Sequence, residues 1–173
     1  MPFKPGDREY RAFFGIQPAE DSEAHPYEVE GYATTFDAPY EFGRGYDGSI
    51  VYEIVDSHAL DNADMSDVIM QFDHSGQPMA RQRNHTLELV PDQHGLHMRA
   101  MLGGSQPGRD LYEAITNGLV DRMSWGFTLA KDGWDYDEDT RTSKIMRVEK
   151  VFDVSAVSRP ADEDTEIHSR SYL

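Results

Sequence analysis

Apolar and polar positions alternate with a period of two along much of the chain, and a clear helical period replaces that alternation within residues 108–129, GRDLYEAITNGLVDRMSWGFTL. Leu111, Ala114 and Ile115 recur at helical spacing, Ser105 and Pro107 supply start signals, and Asn117-Gly118 can close the helix in a left-handed cap. The spacing predicts a helix of about three turns. Beyond it, Met123, Trp125, Phe127 and Leu129 share one face of a strand, while Ser124, Gly126, Thr128 and Ala130 share the other. One face is large and apolar, the other small. A small face fits close packing beneath a helix, and it also fits a hydroxyl left open to the backbone of another molecule.

The remaining pattern is mostly strand. Residues 9–16 and 27–36 are rich in aromatic and β-branched residues, and the stretch between them, with prolines, acids and His25, reads as a loop. Residues 37–49, DAPYEFGRGYDGS, carry three glycines and a proline and read as a long surface excursion, a candidate flap. Residues 50–55 form the next strand, and Ser57 is placed to cap a short helical turn reaching Asn62. In residues 67–74, DVIMQFDH, Val68, Met70, Phe72 and His74 share a strand face; Ser75-Gly76 and Pro78 end it, leaving His74 at a sheet rim. Residues 79–90 read as a strand pair or one bent strand, and residues 96–102 return from a turn at 91–95 with Leu96, Met98 and Ala100 inward. The acidic stretch 131–144 reads as a solvated hairpin tip. Within KVFDVSAVSRPA, residues 150–161, Phe152, Val154 and Ala156 make a core face, which leaves Asp153 and Ser155 on the opposite one. A carboxylate so embedded is costly unless a partner stabilises it.

Many strands, short turns and one well-marked helix predict a mainly β, predominantly antiparallel barrel or sandwich with few helices. The 173 residues suit one domain, with neither internal repeat nor linker. Acidic residues number 32 against 16 Lys+Arg, and the formal charge of -16 opposes binding to nucleic acid or an anionic membrane surface. No cysteine is present, which removes disulfides, thiolate metal sites and a cysteine nucleophile. The first sixteen residues hold no apolar run of signal-peptide length and nothing later approaches a membrane span, so a cytosolic location is the expectation.

Seven histidines raise the question of a metal, most of all His94 and His97 in HGLH, joined by His85 and His74. A turn glycine splits that HxxH pair and no acidic partner stands at a familiar spacing, which argues against a metal site. His58 and His168 read as exposed. The glycines at 43, 45 and 48 do not follow a strand and open a helix, so they make no phosphate loop. Serine catalysis needs a base within hydrogen-bond reach and an orienting group behind it, in any chain order. Ser124, His74 and Asp153 each fall in a strand or at its end and can fill these roles, although spacing alone does not bring them together.

Three segments together carry a resemblance: FDHSG after an apolar strand (residues 72–76), GRDLYEAITNGLVDRMSWGF (108–127) and FDVSAVSRPADEDT (152–165). Over residues 30–165 the chain resembles the prohead proteases of tailed bacteriophages, capsid-maturation serine peptidases related to the herpesvirus assemblins. The resemblance implies a closed antiparallel β-barrel flanked by helices, a single protease domain over 1–165 and a C-terminal tail over 166–173. It implies Ser124 as nucleophile, His74 as base and Asp153 as third member, with Glu149 the other carboxylate in reach of that role. Main-chain N–H groups of Arg159 and Ala161 are the implied oxyanion donors. No cofactor or metal is implied. Expected partners are the phage major capsid protein and scaffold protein as substrates, with self-cleavage and a homodimer open, and no nucleic acid or membrane. The expected place of action is the immature prohead in the host cytoplasm. Two other readings stand beside it: a catalytically silent β-barrel serving capsid or scaffold assembly, and a metal-dependent hydrolase built on the hairpin histidines.

Overall fold

The computed structural model describes residues 6–20 and 24–158. In chain order the strands are β1 (Glu9–Phe14), β2 (Gln17–Pro18), β3 (Glu28–Thr35), β4 (Tyr40–Arg44), β5 (Ile50–Val55), β6 (Ile69–Phe72), β7 (Ser75–Arg81), β8 (Leu87–Pro91) and β9 (Gly95–Met101). Helix α1 (Gln106–Thr116) follows, then β10 (Arg122–Leu129), β11 (Trp134–Asp137), β12 (Thr142–Ile145) and β13 (Val148–Val157). The expected mainly β architecture with few helices is what forms. The strands make three sheets, ordered β1-β10-β13-β6-β7, β11-β12-β5-β4 and β2-β3-β9-β8.

Among the described residues none of these sheets closes on itself into the expected barrel, and a single α-helix stands where flanking helices were expected. Prolines account for part of this. Pro18, Pro78 and Pro91 fall in β2, β7 and β8, all edge strands, and a residue without an N–H cannot extend a ladder to a further neighbour. Nor is the pairing uniformly antiparallel: β13 with β6 and β12 with β5 run parallel. The domain boundary expected at 165 and the tail expected over 166–173 lie outside the described residues.

On β9 and β10 the apolar periodicities identify the core. Met123, Trp125 and Phe127 on β10 are fully buried, as are Leu96, Met98 and Ala100 on β9, and Trp125 stacks on Phe127 at 4.0 Å between ring centroids. Helix α1 begins where the sequence predicts, with the Ser105 hydroxyl accepting from Gly108 N–H at 3.2 Å. It ends as a Schellman motif: Gly118 takes φ +71°, Gly118 N–H reaches the Ile115 carbonyl and Leu119 N–H the Ala114 carbonyl. That turn passes the chain from the helix into β10.

Residues 37–49 are not an irregular flap. β4 pairs antiparallel with β5, and Tyr46 and Asp47 form the tip of a hairpin closed by Gly48 (φ +78°) N–H to the Gly45 carbonyl, where the Asp47 carboxylate accepts from the Ser49 N–H and hydroxyl. This hairpin supplies a buried ionic anchor. Glu53 on β5, fully buried, accepts from Arg11 of β1 through Nε (2.6 Å) and Nη2 (3.1 Å) and also receives the Tyr40 hydroxyl. The guanidinium lies over Phe42 at 4.2 Å from its ring centroid. Two sheets are thereby tied through the core side of β1, and the opposite side of β1 faces the site described next.

Candidate active site

β10 is buried along both faces, so its small face is covered. The cover comes from β13 and from the turn after β6. Ser124 lies directly opposite Ser155 of β13, and Gly126 directly opposite Asp153, with all four on one side of the sheet. A bulge preserves this alignment: Gly126 pairs with Asp153 but Phe127 with Val151, so Phe152 is the extra residue. Val151 therefore occupies the core position that the sequence pattern assigns to Phe152. The displaced phenyl ring is half-buried, with the Arg8 guanidinium 3.9 Å from its centroid. Asp64 pins the strand beside the bulge, since its N–H bonds the Glu149 carbonyl and its carbonyl accepts from Val151 N–H. Its carboxyl is held at about 2, first by the Ser66 hydroxyl and backbone N–H and then by Lys150.

His74 does not end a strand that Ser75 and Gly76 interrupt. β6 stops at Phe72 and β7 begins at Ser75, so Asp73 (φ +49°) and His74 (φ +55°) are the two central residues of a tight hairpin. Positive φ at both is the geometry of a type I′ turn, and a histidine there is held against its own steric preference. Four hydrogen bonds hold it. Asp73 N–H bonds the Ala156 carbonyl, the Asp73 carboxylate accepts the Ser158 N–H and hydroxyl at 2.8 Å each, and His74 N–H donates to Ser155 Oγ at 3.2 Å. Because β6 runs parallel beside β13, this turn emerges next to the end of β13 and folds the imidazole back over it.

The outcome is a connected line of polar groups. His74 Nε2 lies 2.7 Å from Ser124 Oγ, and His74 Nδ1 is hydrogen-bonded to Asp153 Oδ2. A carboxylate can only accept, so the pair selects the tautomer with its proton on Nδ1 and leaves Nε2 to accept from the serine hydroxyl. Asp153 is 2% exposed and Ser124 3%, whereas the His74 side chain retains 18%. Ser155 Oγ donates to Asp153 Oδ2 at 3.0 Å while accepting from His74 N–H. One buried hydroxyl thus fixes both the backbone of the imidazole and the carboxylate it bonds.

The sequence named Ser124, His74 and Asp153, and the fold brings all three together. Glu149 is exposed, and among the described residues its carboxylate is bonded by Thr128 Oγ1, at 3.5 Å, rather than by His74. Arg159 and Ala161 lie outside the described residues. The space left by Gly126 is not open to another molecule: a Cβ there would stand 2.5 Å from Asp153 Oδ1 and 2.9 Å from Tyr10 Cε1. Periodicity placed Ser155 beside Asp153 without showing its two hydrogen bonds, to His74 N–H and to Asp153, and nothing local marked Asp73 or Tyr10. His94 and His97 pack edgewise on Tyr32, and among the described residues no three His, Asp or Glu side chains are grouped to hold a metal ion.

A hydroxyl, an imidazole and a buried carboxylate in this order form the constellation of serine-nucleophile hydrolases, recurrent on unrelated folds and recognised by geometry. The comparison with protein families is specific: a family model described as Caudovirus prohead serine protease matches residues 16–172. The chain belongs to that family and is a serine protease of the phage prohead. No curated protein and no solved structure gives a significant match.

Proposed function

We propose that the chain cleaves peptide bonds of the phage capsid protein and its scaffold inside the immature shell, through a Ser124-His74-Asp153 relay. The observation that carries this reading is the 2.7 Å approach of His74 Nε2 to Ser124 Oγ, with Nδ1 engaged by a buried carboxylate. Ser124 Oγ attacks the scissile carbonyl carbon as His74 Nε2 takes the hydroxyl proton, and Asp153 steadies the imidazolium that forms. The tetrahedral intermediate collapses, the C–N bond breaks, and His74 passes the proton to the leaving amine. Water then attacks the acyl-enzyme with His74 again as base, releasing the new carboxyl end and restoring Ser124. Main-chain N–H groups at Arg159 and Ala161 are the proposed oxyanion donors; Ser158, next in the chain, already bonds Asp73 of the His74 turn. One such donor contributes about 3–4 kcal/mol to the transition state.

The test is cleavage. Wild type and Ser124→Ala are each co-expressed with the cognate capsid and scaffold proteins, and the products are read by intact mass. Truncated capsid or scaffold with wild type alone is the expected result, and self-cleavage would show as lost mass in the protease chain. Identical masses from both variants under assembly conditions would overturn the reading and favour a catalytically silent assembly module.

A further inference from the structure

Two hydrogen bonds at opposite nitrogens hold an imidazole along a line but do not stop it tipping about that line or swinging out on its side-chain torsions. His74 sits on a two-residue turn at the surface whose other member, Asp73, is exposed, so such a swing would lead into water. One residue outside the relay blocks it. The Tyr10 ring packs against the imidazole with centroids 4.3 Å apart and planes tilted by 58°.

We infer that Tyr10 is a positioning residue of this active site, its ring serving as the wall that keeps His74 aligned between Ser124 and Asp153. The inference rests on the proposed relay and adds to it an element that lies ahead of the family match, which begins at residue 16. Three observations support it. Tyr10 pairs directly with Gly126 in the β1–β10 ladder, so the ring projects on the same sheet face as Ser124 and Asp153. Gly126 leaves room for it, because a Cβ there would crowd both the Tyr10 ring and the Asp153 carboxylate. On the other side of β1, Arg11 is locked to the fully buried Glu53, and its Nη1 donates to the Tyr10 carbonyl at 2.8 Å. The strand therefore cannot slide, and the ring is presented from a fixed backbone.

Tyr10 as a residue is 41% exposed and the His74 side chain it packs on only 18%. Tyr10 thus shields the imidazole from solvent on one side. An aromatic ring at this distance also favours a cation, so the contact gains strength when His74 carries the serine proton. Both effects act on the chemical step rather than on substrate affinity, and both belong to the ring rather than to the phenolic hydroxyl.

The experiment compares full-length wild type with Tyr10→Phe, Tyr10→Ala and Tyr10→Leu. The rate of Ser124 phosphonylation by a small fluorophosphonate, in which Oγ bonds phosphorus and fluoride leaves, is measured, together with kcat and KM on a peptide spanning a cleavage site mapped in the co-expression experiment. Phe should match wild type. Ala and Leu should lose about tenfold in kcat and in phosphonylation rate, with KM within about twofold. Leu fills the position without an aromatic face, so its phosphonylation rate decides the matter if the alanine variant unfolds. Wild-type phosphonylation in Leu or Ala, or a raised KM at unchanged kcat, would overturn the inference. If wild type itself neither cleaves nor labels at Ser124, the relay fails instead, which keeps the two failures distinct.

Discussion

Replacing Gly126 with alanine adds one methyl group to the small face of β10 and should disable the relay without removing any of its members. The new Cβ would lie 2.5 Å from Asp153 Oδ1, and ordinary van der Waals contact begins at 3.4 Å. Asp153 must therefore retreat by close to an ångström, or β10 must shift by as much. Neither has slack: Asp153 is held by Ser155 and His74, and β10 is paired on both sides. A misplacement of about 1 Å in a catalytic array costs on the order of 100-fold in rate, equivalent to about 2.7 kcal/mol of barrier. Overpacking of this kind destabilises a fold by about 1–3 kcal/mol, which lowers the melting temperature by roughly 3–10 °C. The assay pairs fluorophosphonate phosphonylation of Ser124, run well below the unfolding transition, with a thermal melt. Gly126→Ala reacting at the wild-type rate would refute the claim that the position of Asp153 governs the serine.

Asp153→Asn keeps the shape of the side chain but can present an N–H to His74 Nδ1 and so favour the wrong tautomer; kcat should fall by about 10⁴-fold, and a loss under tenfold in steady-state cleavage would contradict the orienting role. Glu53→Gln removes the carboxylate that Arg11 Nε and Nη2 both bond while Glu9 Oε2 stays 3.3 Å from the guanidinium, and losing these charged hydrogen bonds should cost about 1.5–3 kcal/mol in denaturant unfolding; an unchanged unfolding midpoint would show that the pair does not anchor β1. The Asp64 carboxyl is depressed to about 2 from an ordinary 3.8, so its stabilising contribution is present above the unfolded value and disappears as pH falls through the folded one. The stability gap between wild type and Asp64→Asn should therefore be constant near neutrality and shrink between about pH 4 and about pH 2, as read by urea melts across that range; a gap independent of pH would contradict this assignment.

The legible part of this protein was what local chemistry encodes. The helix with its serine cap and glycine stop, the inward Leu96, Met98 and Ala100, and the two faces of β10 all follow from periodicity and cap signals. The candidate site residues could be named as a serine on a small strand face, a histidine after an apolar strand and an embedded aspartate, but the family resemblance rather than spacing joined them. What escaped the sequence depends on pairing between distant strands. Three glycines in residues 37–49 suggested irregular chain, yet the alternation of Tyr40 and Phe42 with Glu41 and Gly43 finds its ladder only when β5 lies alongside. The bulge at Phe152 shifts the core face from Phe152 to Val151 and has no local signature, since two-residue periodicity carries straight across it. The Asp73-His74 turn lacks the glycine that normally marks a type I′ hairpin, because its positive φ values are maintained by Ser155, Ala156 and Ser158, more than eighty residues downstream. The order of strands within each sheet likewise depends on which strands become edges.

The central claim is that Ser124 is a nucleophile activated by His74 and Asp153, and the most direct measurement is covalent labelling. Purified wild type is incubated with a fluorophosphonate, its intact mass recorded and the modified residue located by peptide mass spectrometry, with His74→Ala treated in parallel. A single adduct on Ser124, strongly slowed by His74→Ala while both proteins remain folded, is the result predicted. An unlabelled wild type, an adduct on another residue, or equal labelling of the two proteins would contradict the account.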